Sequence, residues 1–161
     1  HVLASELATA EDLALVIAEL VRRIDRVKAE AVLVRADRRS ESPAESLARA
    51  RMYQIGAPIP DLQRTFFHDG VLVGRSDFYW EDADCIGEMD GDVKYLGASV
   101  PGGKPPEEVV IAEKRSEDAL RRLVAAFIRF TWNDALTIAP LEAELRRVGV
   151  LTGPKVRKFG A

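Results

Sequence analysis

Seven acidic side chains and no basic one fall between residues 77 and 92: Asp77, Glu81, Asp82, Asp84, Glu88, Asp90 and Asp92. Two of them stand among apolar or aromatic neighbours, Asp77 beside Phe78 and Trp80, Glu88 beside Ile86 and Met89. A charge in such a stretch is costly unless it is paired or holds a cation. Side chains alternate faces along a strand, so Val71, Val73, Arg75, Asp77 and Tyr79 are expected on one face. Ile86, Glu88 and Asp90 would likewise share a face of the neighbouring strand. Two adjacent strand ends would then gather three carboxylates. Clustered carboxylates without a useful His or Cys suit a hard divalent ion, Mg²⁺ or Mn²⁺. Such an ion offsets their repulsion, binds a phosphate oxygen and lowers the pKa of a water that attacks phosphorus. Lys94, four residues past Asp90, would orient that water or stabilise the pentacovalent charge. Glu45, on a preceding helix, would join from across the sheet.

Each of these residues also has a plain structural reading. Glu45 fits the third position of a capping box that starts at Ser42. Asp77 and Glu88 could be salt-bridged to Arg75 or Arg129, and Asp90 before Gly91 could be a turn residue. Lys94 would then be a solvated lysine, and Glu113, Lys114 and Arg115 a solvated helix face. Cys85 reads as a small buried apolar side chain.

The elements that would position the acids follow from spacing. Residues 9 to 36 read as one helix, capped by Thr9, with Leu13, Val16, Ile17, Leu20, Val21 and Ile24 at helical intervals. The polar stretch 37 to 42 reads as a boundary. Ser42-Pro43-Ala44-Glu45 starts a second helix that runs to about Ile55 and stops at Gly56. Leu62 to Phe67 and Val71 to Trp80 form a hairpin through His68-Asp69-Gly70, and Ala83 to Met89 is a third strand. Leu96 to Pro106 reads as a loop and Glu107 to Ala125 as a helix. Phe127 to Thr131 is a short strand, Asn133-Asp134 opens helical structure, and Pro140 starts a last helix ending before Gly149. Strands in sequence followed by alternating helix and strand imply an α/β domain, a mixed central sheet flanked by helices. The expected divisions are a helical N-terminal segment at 1–40, the α/β domain at 41–150 and a basic tail at 151–161.

The chain of 161 residues carries 23 Lys and Arg against 26 Asp and Glu, a net charge of -3. With 47% hydrophobic and 30% charged residues it has the composition of an ordinary globular domain. Its longest apolar runs fall short of the ~18–20 residues needed to cross a bilayer, and no secretory signal is visible. One cysteine excludes an internal disulfide framework and a Cys-rich zinc site, so a cytoplasmic setting is expected. The acid excess averages an acidic centre with locally basic flanks at 21–51 and in the C-terminal tail. It is therefore compatible with DNA as a partner.

Three stretches together resemble the PD-(D/E)XK nuclease superfamily: Ser42-Pro43-Ala44-Glu45-Ser46, then Gly74-x-x-Asp77-Phe78-x-Trp80, then Gly87-Glu88-x-Asp90-Gly91-x-x-Lys94-Tyr95. The likeness is to the uncharacterised branch similar to very-short-patch repair endonucleases. It extends through Glu113-Lys114-Arg115 and Arg129-Phe130-Thr131-Trp132, covering roughly residues 41 to 135. In actinobacterial-type relatives that domain often follows an antitoxin-like region, and residues 1 to 40 look like the end of one. The resemblance implies a restriction-endonuclease-like core and Mg²⁺-dependent (or Mn²⁺-dependent) hydrolysis of DNA phosphodiesters. It implies Asp77 and Glu88 as metal ligands, with Glu45, Asp90 and Lys94 completing the catalytic set. Asp90 stands where the superfamily usually has Lys, so Lys94, Lys114 or Arg115 would supply the missing cation, the last two as phosphate contacts. The other readings are a catalytically idle nuclease-fold module, acting as an antitoxin or DNA-binding regulator with a protein partner on the N-terminal helices, and an interaction domain whose acids only form salt bridges.

Overall fold

The computed structural model describes residue 3, residues 5–90 and residues 106–153. Its internal contacts divide the chain into two units, His1–Pro43 and Ala44–Ala161.

The first unit holds two helices where the periodicity predicts one. Helix α1 (Ala10–Ala18) starts in a capping box: the Asp12 N–H donates to Thr9 Oγ1, and the Thr9 N–H donates to the Asp12 carboxylate. It ends because its last turn tightens, the Glu19 and Leu20 N–H groups reaching back only three residues to Val16 and Ile17. Arg22 is extended (ψ 115°) and opens helix α2 (Arg23–Leu33), with Asp25 in the first turn and in an ion pair with Arg22. The apolar repeat runs through the break unaltered, because periodicity fixes which side chains share a face and not whether the backbone is continuous. Helix α1 buries no residue.

The second unit is built on a four-stranded sheet in the order β1 (Asp61–His68), β2 (Val71–Trp80), β3 (Cys85–Met89), β4 (Ala126–Phe130). The first three strands meander antiparallel and β4 joins β3 in parallel. The parallel step needs a crossover, which helix α4 (Pro106–Arg121) supplies. Residues Asp69 and Gly70 both have positive φ (50° and 75°), the conformation of a tight hairpin turn, and Asp-Gly is a pair that adopts it cheaply.

Helices α3 (Pro43–Gln54), α5 (Trp132–Thr137) and α6 (Ala139–Arg147) cover one face of the sheet. Ala48 and Met52 of α3, Ala135 of α5 and Leu141 and Leu145 of α6 pack with Phe78, Trp80, Ile128 and Phe130. On the other face Leu120 of α4 packs with Tyr79 and Ile86, flanked by Phe66, Val73 and Phe127. The α/β architecture with a mixed, helix-flanked sheet is thus present. Cys85 is fully buried, and burial pushes its thiol up to about 12, which leaves it an inert core side chain.

Two local features hold the end of the sheet that carries the acids. A Cβ on Gly87 would stand 2.9 Å from the Trp80 ring and 3.1 Å from Phe130, so only glycine lets both rings close on β3 just before Glu88. After β4, Thr131 caps α5: the Asp134 N–H donates to Thr131 Oγ1 at 3.2 Å, and the Thr131 N–H donates to Asp134 Oδ2 at 2.8 Å. Thr131→Ala is expected to cost about 1 kcal/mol. Urea unfolding measures it, and an unchanged midpoint would show that the cap is dispensable.

Candidate functional site

The acids meet where the hairpin departs from regular alternation. Leu62, opposite Phe78, packs on the α3 side of the sheet. Two residues on, Arg64, opposite Ser76, lies 4.6 Å over the ring of Tyr79, which belongs to the α4 side. Phe66 meets the same ring edge-on at 5.2 Å. Gly74, opposite Phe66, also faces α4, since a Cβ there would lie 2.6 Å from Ser116 Oγ and 3.1 Å from Leu120. Both strands therefore change face between these pairs. Gln63, with φ 56°, and Asp77 sit at the change. A second irregularity adds one residue to β2, where Phe66 pairs with Gly74 but Phe67 pairs with Leu72. Val73 and Tyr79 share the α4 face as expected, but Gly74 lies toward α4 as well, so the regular alternation expected for Val71 through Tyr79 is broken.

Asp77 uses both carboxylate oxygens. The ladder between β2 and β3 runs from Trp80–Cys85 to Phe78–Gly87, and beyond it the Met89 N–H donates to Asp77 Oδ2 at 2.8 Å. The side chain thus takes over the acceptor role of a strand carbonyl. Gln63 Nε2 donates to Asp77 Oδ1 at 3.5 Å and to Glu45 Oε2 at 3.1 Å. Glu45 is 6% exposed on the inner face of α3, one turn before Ala48. A capping role alone does not require that burial. Helix α3, β1 and β2 accordingly bring Glu45 and Asp77 onto one amide donor.

Glu88 sits on the other side of Asp77. Burial, and next the negative charge of Asp77, push its carboxyl up to about 8, against the smaller opposing effects of Arg129 and the Asp77 backbone N–H. Burial and the Asp77 charge both favour its neutral, protonated form. Its parallel neighbour on β4 is Arg129. The ion pairs of Arg129 run to Asp90 (3.1 Å) and to Glu117 of α4 (2.8 Å). Asp90 is therefore a partner of Arg129, and its backbone N–H continues the parallel ladder to Phe130 at 2.7 Å.

Of the residues expected at the site, the fold joins Glu45 and Asp77 through Gln63 and sets Glu88 beside Asp77. Asp90 is adjacent but engaged by Arg129. Lys114 and Arg115 are exposed on α4. Lys94 lies outside the described residues, as do the basic tail from residue 154 and nearly all of the loop at 96–106. Among the described residues no group of three His, Cys, Asp or Glu side chains is close enough to hold one metal ion. The donor chemistry nonetheless fits a hard cation. Two carboxylate oxygens converge on a single amide donor, and burial together with the Asp77 charge favours the protonated form of the Glu88 carboxyl beside them. Gln63 and Glu117 carry no distinguishing sequence signal: Gln63 stands in a largely polar strand, Asp61 to His68, among Arg64 and Thr65.

No helix among the described residues is long and apolar enough to cross a membrane. No protein-family model, curated protein or solved structure matches the chain.

Proposed function

We propose that the second unit is a Mg²⁺-dependent nuclease that hydrolyses DNA phosphodiester bonds. The observation that carries the reading is the pair of acids where β2 and β3 part: Asp77, which shares the Gln63 amide with Glu45, and Glu88, which feels the Asp77 charge. Support also comes from the sequence likeness to PD-(D/E)XK nucleases. The finer description of the core as restriction-endonuclease-like belongs to the same proposal. It is supported by the order of helix, three antiparallel strands, helix and parallel fourth strand.

Asp77 and Glu88 would hold the ion, which would supply an activated water and neutralise charge building on the phosphate. Met89 N–H fixes the rotamer of Asp77, so the oxygen facing Gln63 is already aimed at the site. Gln63 positions Glu45 against Asp77 and releases both acceptors when positive charge arrives. Glu88 must lose its proton before it can ligate, so activity should rise with pH as it ionises. Incubating the chain with plasmid and Mg²⁺ or Mn²⁺ tests the proposal. Nicking or linearisation that EDTA abolishes is the expected result, and an intact plasmid with both ions would sink it.

A second reading draws on the first unit, where Leu15, Val16, Val21, Val27, Val32 and Val34 are exposed. Such side chains favour a protein partner on the N-terminal helices, as an antitoxin-like or DNA-binding regulator with an idle nuclease fold would have. Calorimetric titration with Mn²⁺ separates the two. Binding that disappears in Glu88→Gln supports the nuclease, while an intact fold that ignores the ion supports the regulator.

A further inference from the structure

Resting on the nuclease reading, we propose that Arg129 is the phosphate-contacting cation of the site, with Asp90 holding its guanidinium until nucleic acid arrives. Beside the acids Glu88 and Asp90 the fold places a cation from the adjacent strand. Arg129 is the register neighbour of Glu88 on β4, and its guanidinium bridges Asp90 Oδ1 at 3.1 Å and Glu117 Oε2 at 2.8 Å. Its side chain and that of Asp90 are each 44% exposed, open to a ligand from solvent.

The arrangement makes Arg129 transferable. An exposed ion pair contributes little to stability, so exchanging Asp90 for a phosphate costs little. A guanidinium gains a planar two-point contact with a phosphodiester, which lysine cannot make. Glu117 is also held by Arg121, at 2.7 Å, and so stays fixed beside Arg129 through the exchange, while Asp90 at the surface is released to solvent. Arg121 is itself held 4.2 Å over the Phe127 ring. Of the two Arg129 contacts, that with Asp90 is the longer and more exposed, 3.1 Å to a carboxylate 44% exposed against 2.8 Å to one 26% exposed. Glu117 keeps the guanidinium beside the site, and Asp90 is the contact that yields.

A purely structural Arg129, tying α4 to the sheet, predicts the opposite response to loss of Asp90. Binding of a fluorescein-labelled mixed-sequence DNA duplex is followed by anisotropy in EDTA at low salt, then across a salt series. Arg129→Gln is expected to weaken binding about tenfold and to lower the slope of log affinity against log salt by about one. Arg129→Lys should recover only part. Asp90→Asn should tighten binding several-fold by freeing the guanidinium, and more than Asp118→Asn, which removes an exposed acid elsewhere on α4. That extra gain should vanish in the Asp90→Asn/Arg129→Gln double variant. Weaker binding by Asp90→Asn, or a gain that survives without Arg129, overturns the proposal. If the wild-type chain binds and cleaves while Arg129 variants bind as tightly, only this inference falls. A wild-type chain that fails to bind DNA at low salt overturns it together with the nuclease reading.

Discussion

Glu88→Gln is expected to stabilise the fold at pH 8.5 by on the order of a few kcal/mol and to remove most of its loss of stability between pH 5 and 8. The folded-state carboxyl is pushed up to about 8 from an ordinary 4.5 by burial and by the charge of Asp77. Between those values the folded chain binds a proton that the unfolded chain releases. Stability from this group is therefore complete below about pH 4.5, falls as pH rises, and is lost once pH passes about 8. Glutamine keeps the shape and neutrality of the protonated acid at every pH, so the variant should not share that fall. Thermal melts of both proteins across this range measure the effect. Parallel curves would mean that Glu88 ionises freely and that the buried, repelled carboxyl is misread. Divalent ions add a second arm. Mg²⁺ should raise the wild-type midpoint more at pH 8.5 than at pH 6, because only ionised Glu88 can ligate, and should leave Glu88→Gln nearly unmoved.

That prediction depends on a neighbourhood of which the sequence disclosed only part. The Asp69-Gly70 turn, the strands on either side of it and the alternation of helix and strand after residue 106 are written in local signals: positive-φ residues, β-branched runs and apolar periods. Asp77 and Glu88 stood out because charges among Phe78, Trp80, Ile86 and Met89 need a reason to be there. What local signals could not give is register. Counting outward from His68–Val71 places Gln63 opposite Ser76. The extra residue at Val73 shifts the count by one and sets Gln63 against Asp77 instead. A bulge is decided by packing, here by Gly74 closing against Ser116 and Leu120, residues more than forty positions away. Arg129 was legible as a counter-charge, but no strand spacing reveals that it is the register neighbour of Glu88 until β3 and β4 are paired. At the N-terminus the failure was of another kind: an unbroken apolar repeat spans the break between α1 and α2.

Asp77→Asn is expected to lower metal-dependent DNA cleavage by more than about 100-fold while leaving the fold intact. Asparagine can still accept the Met89 N–H through its single carbonyl oxygen, so the junction of β2 and β3 survives. Its amide group then faces Gln63 Nε2 donor to donor, and the acceptor that would meet a cation is gone. Asp77→Ala removes the acceptor as well, stranding a part-buried N–H, and should cost a further 1–3 kcal/mol or so of stability. The pair therefore separates catalysis from architecture: Asn and Ala should be equally inactive but unequally stable. The Asn variant also reports on Glu88. Removing the neighbouring negative charge lets the folded-state Glu88 ionise at lower pH, so the fall in stability should begin at the same pH as in the wild type but end earlier and be smaller. Cleavage by Asp77→Asn at the wild-type rate would show that Asp77 serves only to close the ladder. An unshifted stability profile would show that the two carboxyls do not share a field.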